Sequence, residues 1–141
     1  MILSEFSLDS RLSADTKPIF SFEKSELFLM NDARWPWLIV VPTIPDSVEW
    51  HELEEKSGQL IDQNVSLAAK VLKQITNCEK INIASLGNMV RQLHIHIVAR
   101  DIGDPNWPNP VWGFGEKIAY KDEDAQDLIE KISFKLEETT A

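Results

Sequence analysis

The sequence predicts a single α+β domain, in which an antiparallel sheet of about five strands has one long helix packed across it and a C-terminal helix. Three observations predict this class. A long amphipathic helical pattern occupies the middle of the chain, from about residue 46 to residue 77. Short apolar runs bounded by Pro, Gly, Asn and Asp lie on both sides of it. A second amphipathic pattern covers residues 122–138.

The first third of the chain is expected to form a hairpin of short strands. A few apolar residues among polar neighbours within positions 1–15 favour a short helix packed on the body. Apolar strands are predicted at 19–22, 27–30 and 35–41, with a turn at 31–34. Pro42 and Pro45 close the third strand, because proline cannot donate to a sheet ladder.

The middle helix is predicted by apolar residues that recur at intervals of four and three and therefore share one face. These residues are Ile61, Val65, Ala68, Leu72 and Ile75. Gly58 is expected to mark a break near the start of this helix. A strand at 80–84, a turn at 85–88 and a longer strand at 89–99 are expected to follow.

The C-terminal part of the chain is expected to be a tail on the same domain. Residues 101–115 are rich in Pro, Gly and Trp and predict an ordered loop. Residues 122–138 predict a helix, and no repeat or flexible linker divides the chain. The sequence therefore predicts one domain over residues 1–141, with a core at about 15–100 and a tail at 101–141.

Composition and charge exclude several classes of function. The chain has 141 residues, and its 14 basic and 23 acidic side chains give a net charge of −9. Binding to long nucleic acid depends on neutralising phosphates, so this balance argues against a nucleic acid partner but not against a small phosphorylated ligand. The single cysteine cannot form an intrachain disulfide, and no signal peptide or membrane span is expected. A cytoplasmic protein is the resulting expectation.

The segment 92–98 is the most informative part of the sequence. On a strand, alternate side chains point to opposite faces, so Gln92, His94 and His96 are expected to share one face. The intervening apolar residues bury the other face. Successive residues on one face lie roughly 6.5–7 Å apart, so one phosphoryl group could contact both imidazoles.

Three interpretations of these histidines remain open from the pattern alone. The first is a half-exposed strand whose polar face contains two imidazoles without a catalytic role. The second is a metal site, which needs a third ligand, and His51 lies far away in the helical region. The third is nucleophilic catalysis, because the neutral imidazole can attack phosphorus and then leave when water arrives.

Two arginines flank this pattern. Arg91 is expected on the opposite face in a structural role. Arg100 falls on the histidine face and could neutralise a phosphate, although a surface ion pair is the more common role for such a residue. Trp107 and Trp112 could close over a base, pack a dimer interface or simply pack the tail.

The segment 88–98 resembles the signature of the histidine triad (HIT) superfamily, in which three histidines alternate with apolar residues. The first histidine is replaced by Gln92 in this sequence. The resemblance covers about residues 15–100 in the order of a hairpin, a long helix, a short strand and the signature strand. The segment 107–113 resembles the tail of a bacterial HIT subgroup that also carries the Gln variant.

The resemblance implies a function for each matched residue. His94 would attack the α-phosphorus of a nucleotide, and His96 would contact the phosphate and the leaving atom. Asn88 would donate to the phosphate, Asn82 would lie near it, and Asn31 would bind the ribose hydroxyls, although each asparagine could instead be a turn former. Gln92 could orient the middle imidazole by a hydrogen bond, but it cannot titrate near neutrality, so turnover could be weak.

The implied protein is a nucleotide hydrolase or nucleotidyl transferase acting at the α-phosphate of an adenosine conjugate. Dinucleoside polyphosphates and phosphoramidates are the leading substrates, and the resemblance implies no cofactor and no metal. Small members of the family are usually symmetric dimers, so the resemblance also implies a homodimer. A nucleotide-binding module with little turnover and, less favoured, a metal-dependent enzyme using the two histidines remain as alternatives.

Overall fold

The computed structural model describes residues 5–141. The short N-terminal helix predicted within the first fifteen residues is confirmed for the part that falls in the described range. The elements in chain order are α1 (Ser10–Asp15), β1 (Thr16–Phe22), β2 (Ser25–Met30), β3 (Trp37–Pro42), a 3-10 turn (Trp50–Glu52), α2 (Glu55–Thr76), β4 (Lys80–Ser85), β5 (Ile95–Arg100) and α3 (Asp122–Thr140).

The five strands form one antiparallel sheet in the order β1-β2-β3-β5-β4. This arrangement, with one long helix and a C-terminal helix, confirms the predicted α+β class. Strand β5 lies between β3 and β4, and His96 is paired with Ile39 on one side and Ala84 on the other. Because directly paired residues in a sheet share a face, these three side chains lie on the same side.

Helices α2 and α3 cover one face of the sheet and form the larger core. Helix α2 buries the predicted apolar stripe against inward-facing strand residues such as Leu38, Ile95 and Ile97, all of which are fully buried. Helix α2 ends at Thr76, and the next residue, Asn77, caps it in a left-handed conformation while its backbone N–H bonds the Lys73 carbonyl. No helix of residues 5–141 combines the length and apolarity that a membrane crossing demands.

The opposite face of the sheet is also covered, here by the N-terminal segment and the loop after β5. A second apolar cluster contains Leu12 from α1, Trp37 and Ile39 from β3, Val98 from β5 and Val111 from the loop. Strands β3 and β5 are consequently buried on both faces along their whole length. This double burial explains why both strands contain nearly continuous apolar residues.

Two predicted boundaries are wrong. Strand β5 begins at Ile95 rather than at Met89, and residues 86–94 form an irregular loop in which the Leu93 N–H bonds the Ser47 carbonyl instead of a neighbouring strand. Helix α2 begins at Glu55 rather than near residue 46, and Gly58 lies within its first turns instead of breaking it. Segment 43–54 is therefore a loop with a single 3-10 turn.

Arg100 organises the loop that follows β5. Its guanidinium is 1% exposed and makes two 2.7 Å hydrogen bonds to the Asp104 carboxylate and one of 2.8 Å to the Asn109 carbonyl. It also lies 5.5 Å from the ring centroid of Trp107 and 5.9 Å from that of Trp35. Arg100 is therefore a buried structural residue and neither a surface ion pair nor a free phosphate ligand.

We predict that Arg100→Met lowers the free energy of unfolding by about 3 kcal/mol, because it leaves the Asp104 carboxylate partly buried without its cation. Urea unfolding followed by circular dichroism measures this loss. Lys131→Met is the matched control, since Lys131 and Asp127 form an ion pair of the same spacing that is mostly exposed. The control is expected to change stability by less than about 0.5 kcal/mol. Equal losses in the two variants would contradict a structural role for Arg100.

Candidate active site

The two histidines lie side by side at the start of β5. His94 immediately precedes the strand and His96 is its second residue. The ring centroids are 4.8 Å apart with an interplanar angle of 69°, so the two imidazoles are in edge-to-face contact. They share the sheet face opposite the helices, but they are only 5% and 4% exposed. A half-exposed strand face, the first interpretation of this pattern, is therefore wrong.

The hydrogen bond of His94 fixes its tautomer. The Nδ1 atom lies 2.7 Å from the Gln92 carbonyl oxygen, which can only accept. The proton of the neutral ring therefore sits on Nδ1, where it donates to this carbonyl. The lone pair is consequently on Nε2, which is the arrangement that a nucleophilic imidazole requires.

His94 borders a small polar hollow of about 130 Å³. Residues that line the hollow with it include Glu49, Ser85, Gly87, Asn88, Arg91 and Gln92. Arg91 contributes the positive charge and Glu49 the negative charge of this lining. Arg91 was expected on the opposite face, but strand alternation does not apply because residues 86–94 are not in a strand.

The backbone passes close to the imidazole at Gly87. A Cβ atom at this position would lie 2.5 Å from the Val90 carbonyl oxygen and 3.2 Å from Cε1 of His94. The first distance is shorter than real Cβ contacts, so only glycine fits this tight turn. Gly87 therefore keeps the loop closed around one edge of the His94 ring.

A larger groove of about 620 Å³ lies along segment 43–54 and includes Lys24 and Ser57. Its lining contains four carboxylates and no imidazole. We place the candidate site in the smaller hollow, because only that hollow contains a nucleophilic side chain with a defined tautomer. The groove and the hollow share Val48 and Glu49, so they are neighbours.

His96 has protein partners at both ring nitrogens. The Trp37 Nε1–H, which can only donate, lies 3.0 Å from Nδ1 of His96. The ring proton is therefore on Nε2, which donates to the Leu86 carbonyl at 3.2 Å. Burial, assisted by the neighbouring His94, lowers the pKa of His96 to about 4, so this ring is neutral at physiological pH.

Two tryptophans cover His96. The ring centroids of Trp37 and Trp112 lie 5.7 and 5.3 Å from that of the imidazole. Trp112 Nε1 is the one buried side-chain polar atom of the described residues that has no hydrogen-bond partner. His96 therefore lies beneath an aromatic cover, whereas His94 borders the hollow.

The Gln92 side chain does not hydrogen-bond the His94 ring, contrary to expectation. Its Oε1 accepts from the Asp9 N–H at 2.9 Å and its Nε2 donates to the Ser7 carbonyl at 2.8 Å. Because Gln92 precedes β5, it is not the first member of an alternating strand face. Its main-chain carbonyl, rather than its amide, orients His94.

The three asparagines lie in different surroundings. Asn88 is exposed and lines the hollow beside His94. Asn82 is half-buried on β4 opposite Val98, on the same sheet face as His96. Asn31 follows β2, and its Oδ1 accepts from the Tyr120 N–H at 3.0 Å, which holds the segment before α3. The structure therefore brings Asn88 alone of the three into the lining of the hollow.

Sequence reasoning missed several residues of the site. Trp37 and the Leu86 carbonyl set the tautomer of His96, and Glu49 lines the hollow. Trp37 could have been suspected, since it is a polar-tipped aromatic within an otherwise aliphatic strand. Within residues 5–141, no three His, Cys, Asp or Glu side chains come together as a metal-binding group. The third ligand that a metal site would need is thus not found in the described part of the chain.

Comparisons with known proteins agree with this fold. A family model described as the HIT domain matches residues 11–103. A histidine triad protein from Sinorhizobium meliloti is 46% identical, with a TM-score of 0.89 over 90% of this chain and 94% of that one. A histidine triad protein from Marinobacter aquaeolei is 36% identical, with a TM-score of 0.92 over 96% and 98%. Among curated proteins, no sequence matches significantly.

A more distant structural neighbour extends the comparison. Diadenosine triphosphate hydrolase from Plasmodium falciparum is 15% identical and shares the fold, with a TM-score of 0.69 over 100% of this chain and 90% of that one. The fold and the imidazole pair define a histidine triad architecture. With the domain match and the two closer structures, the chain belongs to the HIT family.

We predict that wild-type protein loses roughly 3 kcal/mol of stability relative to His96→Gln as the pH falls from 6.5 to about 4. In this window the unfolded state binds a proton at His96 and the folded state does not, so acid favours unfolding. The glutamine can still accept from Trp37, which keeps the variant folded. Chemical unfolding at several pH values measures the difference. Parallel stability curves for the two proteins would contradict the low pKa.

Proposed function

We propose that the protein is a nucleotide hydrolase or nucleotidyl transferase that acts at the α-phosphate of adenosine nucleotide conjugates through a covalent nucleotidyl-histidine on His94. The observation that carries this proposal is the 2.7 Å hydrogen bond from His94 Nδ1 to the Gln92 carbonyl, which leaves Nε2 as the nucleophile. Membership of the HIT family supports it at the level of the reaction class. Dinucleoside polyphosphates and phosphoramidates are the proposed substrates.

The proposed reaction has two displacements. The Nε2 lone pair of His94 attacks the α-phosphorus, and the bond from phosphorus to the leaving oxygen or nitrogen breaks. The ring then carries a positive charge, which the Gln92 carbonyl stabilises because it accepts from Nδ1–H. Water, or another acceptor, then attacks phosphorus and loses a proton to solvent, the P–Nε2 bond breaks, and neutral His94 and the nucleotide product are released. A leaving nitrogen takes up its proton from solvent in the first displacement.

The remaining site residues have proposed binding roles. Asn88 donates to the phosphate, and Arg91 in the same lining offsets its negative charge. His96 contributes its Nε2–H, which turns from the Leu86 carbonyl toward the phosphate and the leaving atom; the bond it gives up is 3.2 Å long. Asn82 and Asn31 are proposed to lie near the phosphate and the ribose, as the family resemblance implies.

A nucleotide-binding module with little turnover is the second candidate. Two observations favour it. Both imidazoles are at least 95% buried without a ligand, so access requires movement of the covering residues. The Gln92 amide is held by the N-terminal segment and makes no side-chain hydrogen bond to His94. Such a protein would bind adenosine monophosphate without cleavage that depends on His94.

We predict that His94→Ala abolishes hydrolysis of a fluorogenic adenosine phosphoramidate, with a loss of at least about a thousandfold, because the nucleophile is removed. His96→Ala is expected to be slowed and to accumulate a nucleotidyl adduct that intact-mass analysis detects. A chelator is included in parallel, since only a metal-dependent enzyme would lose activity with it. His51→Ala is the control, because His51 is exposed and does not line the hollow. Unchanged turnover in His94→Ala would rule out nucleophilic catalysis by His94.

We also propose that the protein is a homodimer joined along β4. This strand is at the end of the sheet order, so its outer edge has no strand partner among residues 5–141. Ile83 on this strand is 46% exposed, which is unusual for a large apolar side chain at a sheet edge. A second copy placed on the edge would bury the side chain and pair the free backbone groups.

We predict that the wild-type chain elutes as a dimer in size-exclusion chromatography with light scattering, and that Ile83→Glu shifts it toward the monomer. The introduced carboxylates would face each other near the two-fold axis and would lose hydration. Phe134→Glu is the matched control, because Phe134 is 63% exposed on α3, a helix that contacts β1 at the opposite end of the sheet from β4. A dimer that tolerates Ile83→Glu would exclude this edge as the interface.

We also propose a cytoplasmic location and a subgroup of the HIT family for this protein. The only cysteine, Cys78, is buried and unpaired, which suits a reducing cytoplasm. Gln92 and the Trp-rich segment 107–113 support placement in the bacterial HIT subgroup that carries glutamine at the first triad position.

A further inference from the structure

Gln92 links two segments that are far apart in the sequence. We call residues 5–11 the N-terminal strap and residues 86–94 the site loop. The Gln92 amide uses both of its ends on the strap: Oε1 accepts from the Asp9 N–H at 2.9 Å, and Nε2 donates to the Ser7 carbonyl at 2.8 Å. One side chain of the site loop therefore satisfies a donor and an acceptor of the strap backbone.

A second contact joins the same two segments. Arg11 donates from Nη1 to the Met89 carbonyl at 3.0 Å. Its guanidinium is itself oriented by Asp9, through contacts of 3.1 and 3.2 Å to the two carboxylate oxygens. The strap thus holds the site loop at Met89 and at Gln92, three residues apart.

The site loop needs such support because it has few backbone bonds of its own. Residues 86–94 are outside the sheet ladder, and the Leu93 N–H instead bonds the Ser47 carbonyl. The Gln92 carbonyl is the acceptor that places the His94 proton on Nδ1. Whatever fixes the backbone of Gln92 therefore also fixes the tautomer and the orientation of His94.

The chemistry of the link explains a glutamine at this position. A carboxamide presents a donor and an acceptor side by side without charge, which matches a backbone N–H and a backbone C=O two residues apart. A carboxylate would lack the donor for Ser7, and its charge would face a carbonyl oxygen. An aliphatic side chain would leave both strap groups without their partner.

We propose that Gln92 is a positioning residue that acts through the N-terminal strap. Its side chain anchors the strap, and the anchored backbone presents the carbonyl that holds His94 in its nucleophilic tautomer. Gln92 thus acts on the reaction through His94 rather than through a bond to the reacting phosphate, and the strap is part of the active-site architecture. The consequence for turnover rests on the proposed function, whereas the effect on the His94 tautomer does not.

The first test reads the tautomer directly in full-length protein labelled with ¹⁵N-histidine. Long-range proton–nitrogen correlation spectra distinguish Nδ1–H from Nε2–H in each neutral ring. We expect wild type to show His94 with Nδ1–H only, and Gln92→Met to show a mixture of the two tautomers. A His94 spectrum in Gln92→Met identical to that of wild type would overturn the proposal, whatever the activity.

The second test removes the link from the strap side. Asp9 has φ −54° and ψ 135°, values that proline adopts, so Asp9→Pro deletes the N–H that bonds Gln92 with little backbone strain. Asp9→Ala is the matched control, because both variants lose the carboxylate that caps α1 and pairs with Arg11. We expect the tautomer mixture in Asp9→Pro to exceed that in Asp9→Ala. Equal spectra for the two variants would contradict the claim that the strap fixes the His94 tautomer. The comparison of Asp9→Pro with Asp9→Ala also tests this claim if Gln92→Met does not fold.

Steady-state kinetics of Gln92→Met distinguish a positioning role from a substrate-binding role. For Gln92→Met we expect kcat to fall about tenfold and KM to change by less than about twofold, because the substrate contacts are intact while the reactive tautomer is less populated. A rise in KM at constant kcat would indicate a binding residue and would overturn the assignment. If wild type turns over no nucleotide, the proposed function fails, and the tautomer comparisons still decide the role of Gln92.

Discussion

One short hydrogen bond, from His94 Nδ1 to the Gln92 carbonyl, is the constraint on which the site depends. A carbonyl can only accept, so this contact alone decides which nitrogen of His94 is nucleophilic. It forms because the strand begins at Ile95, which leaves the preceding backbone free to turn its carbonyl toward the ring. Gly87 permits the close approach of the loop to the Cε1 edge of the imidazole.

Local sequence patterns were sufficient to predict most of the fold. The apolar period of α2 and α3 and the short apolar runs of the sheet depend on neighbours within a few positions. The common face of His94 and His96 also follows from two-residue alternation, even though His94 lies just outside the strand. The family resemblance supplied the chemistry of His94, which alternation alone left open among three interpretations.

The rest of the site depends on contacts that local patterns do not encode. Gln92 meets a backbone N–H 83 positions away, and His96 meets an indole 59 positions away. Alternation placed Arg91 away from the site, and the usual role of such a residue favoured a surface ion pair for Arg100, but the first lines the hollow and the second is 1% exposed. The error at Arg91 arose because residues 86–94 are not in a strand, and the error at Arg100 arose because the loop after β5 buries its side chain.

The aromatic cover of His96 gives the protein an intrinsic optical signal. Three of its five tryptophans, Trp35, Trp37 and Trp112, form one continuous set of ring contacts that ends at the imidazole pair. Indole emission depends on the polarity and charge of its surroundings. Any event that charges an imidazole or draws water beneath these rings will therefore change the fluorescence of the unlabelled chain, and occupancy of the hollow can be followed without a dye.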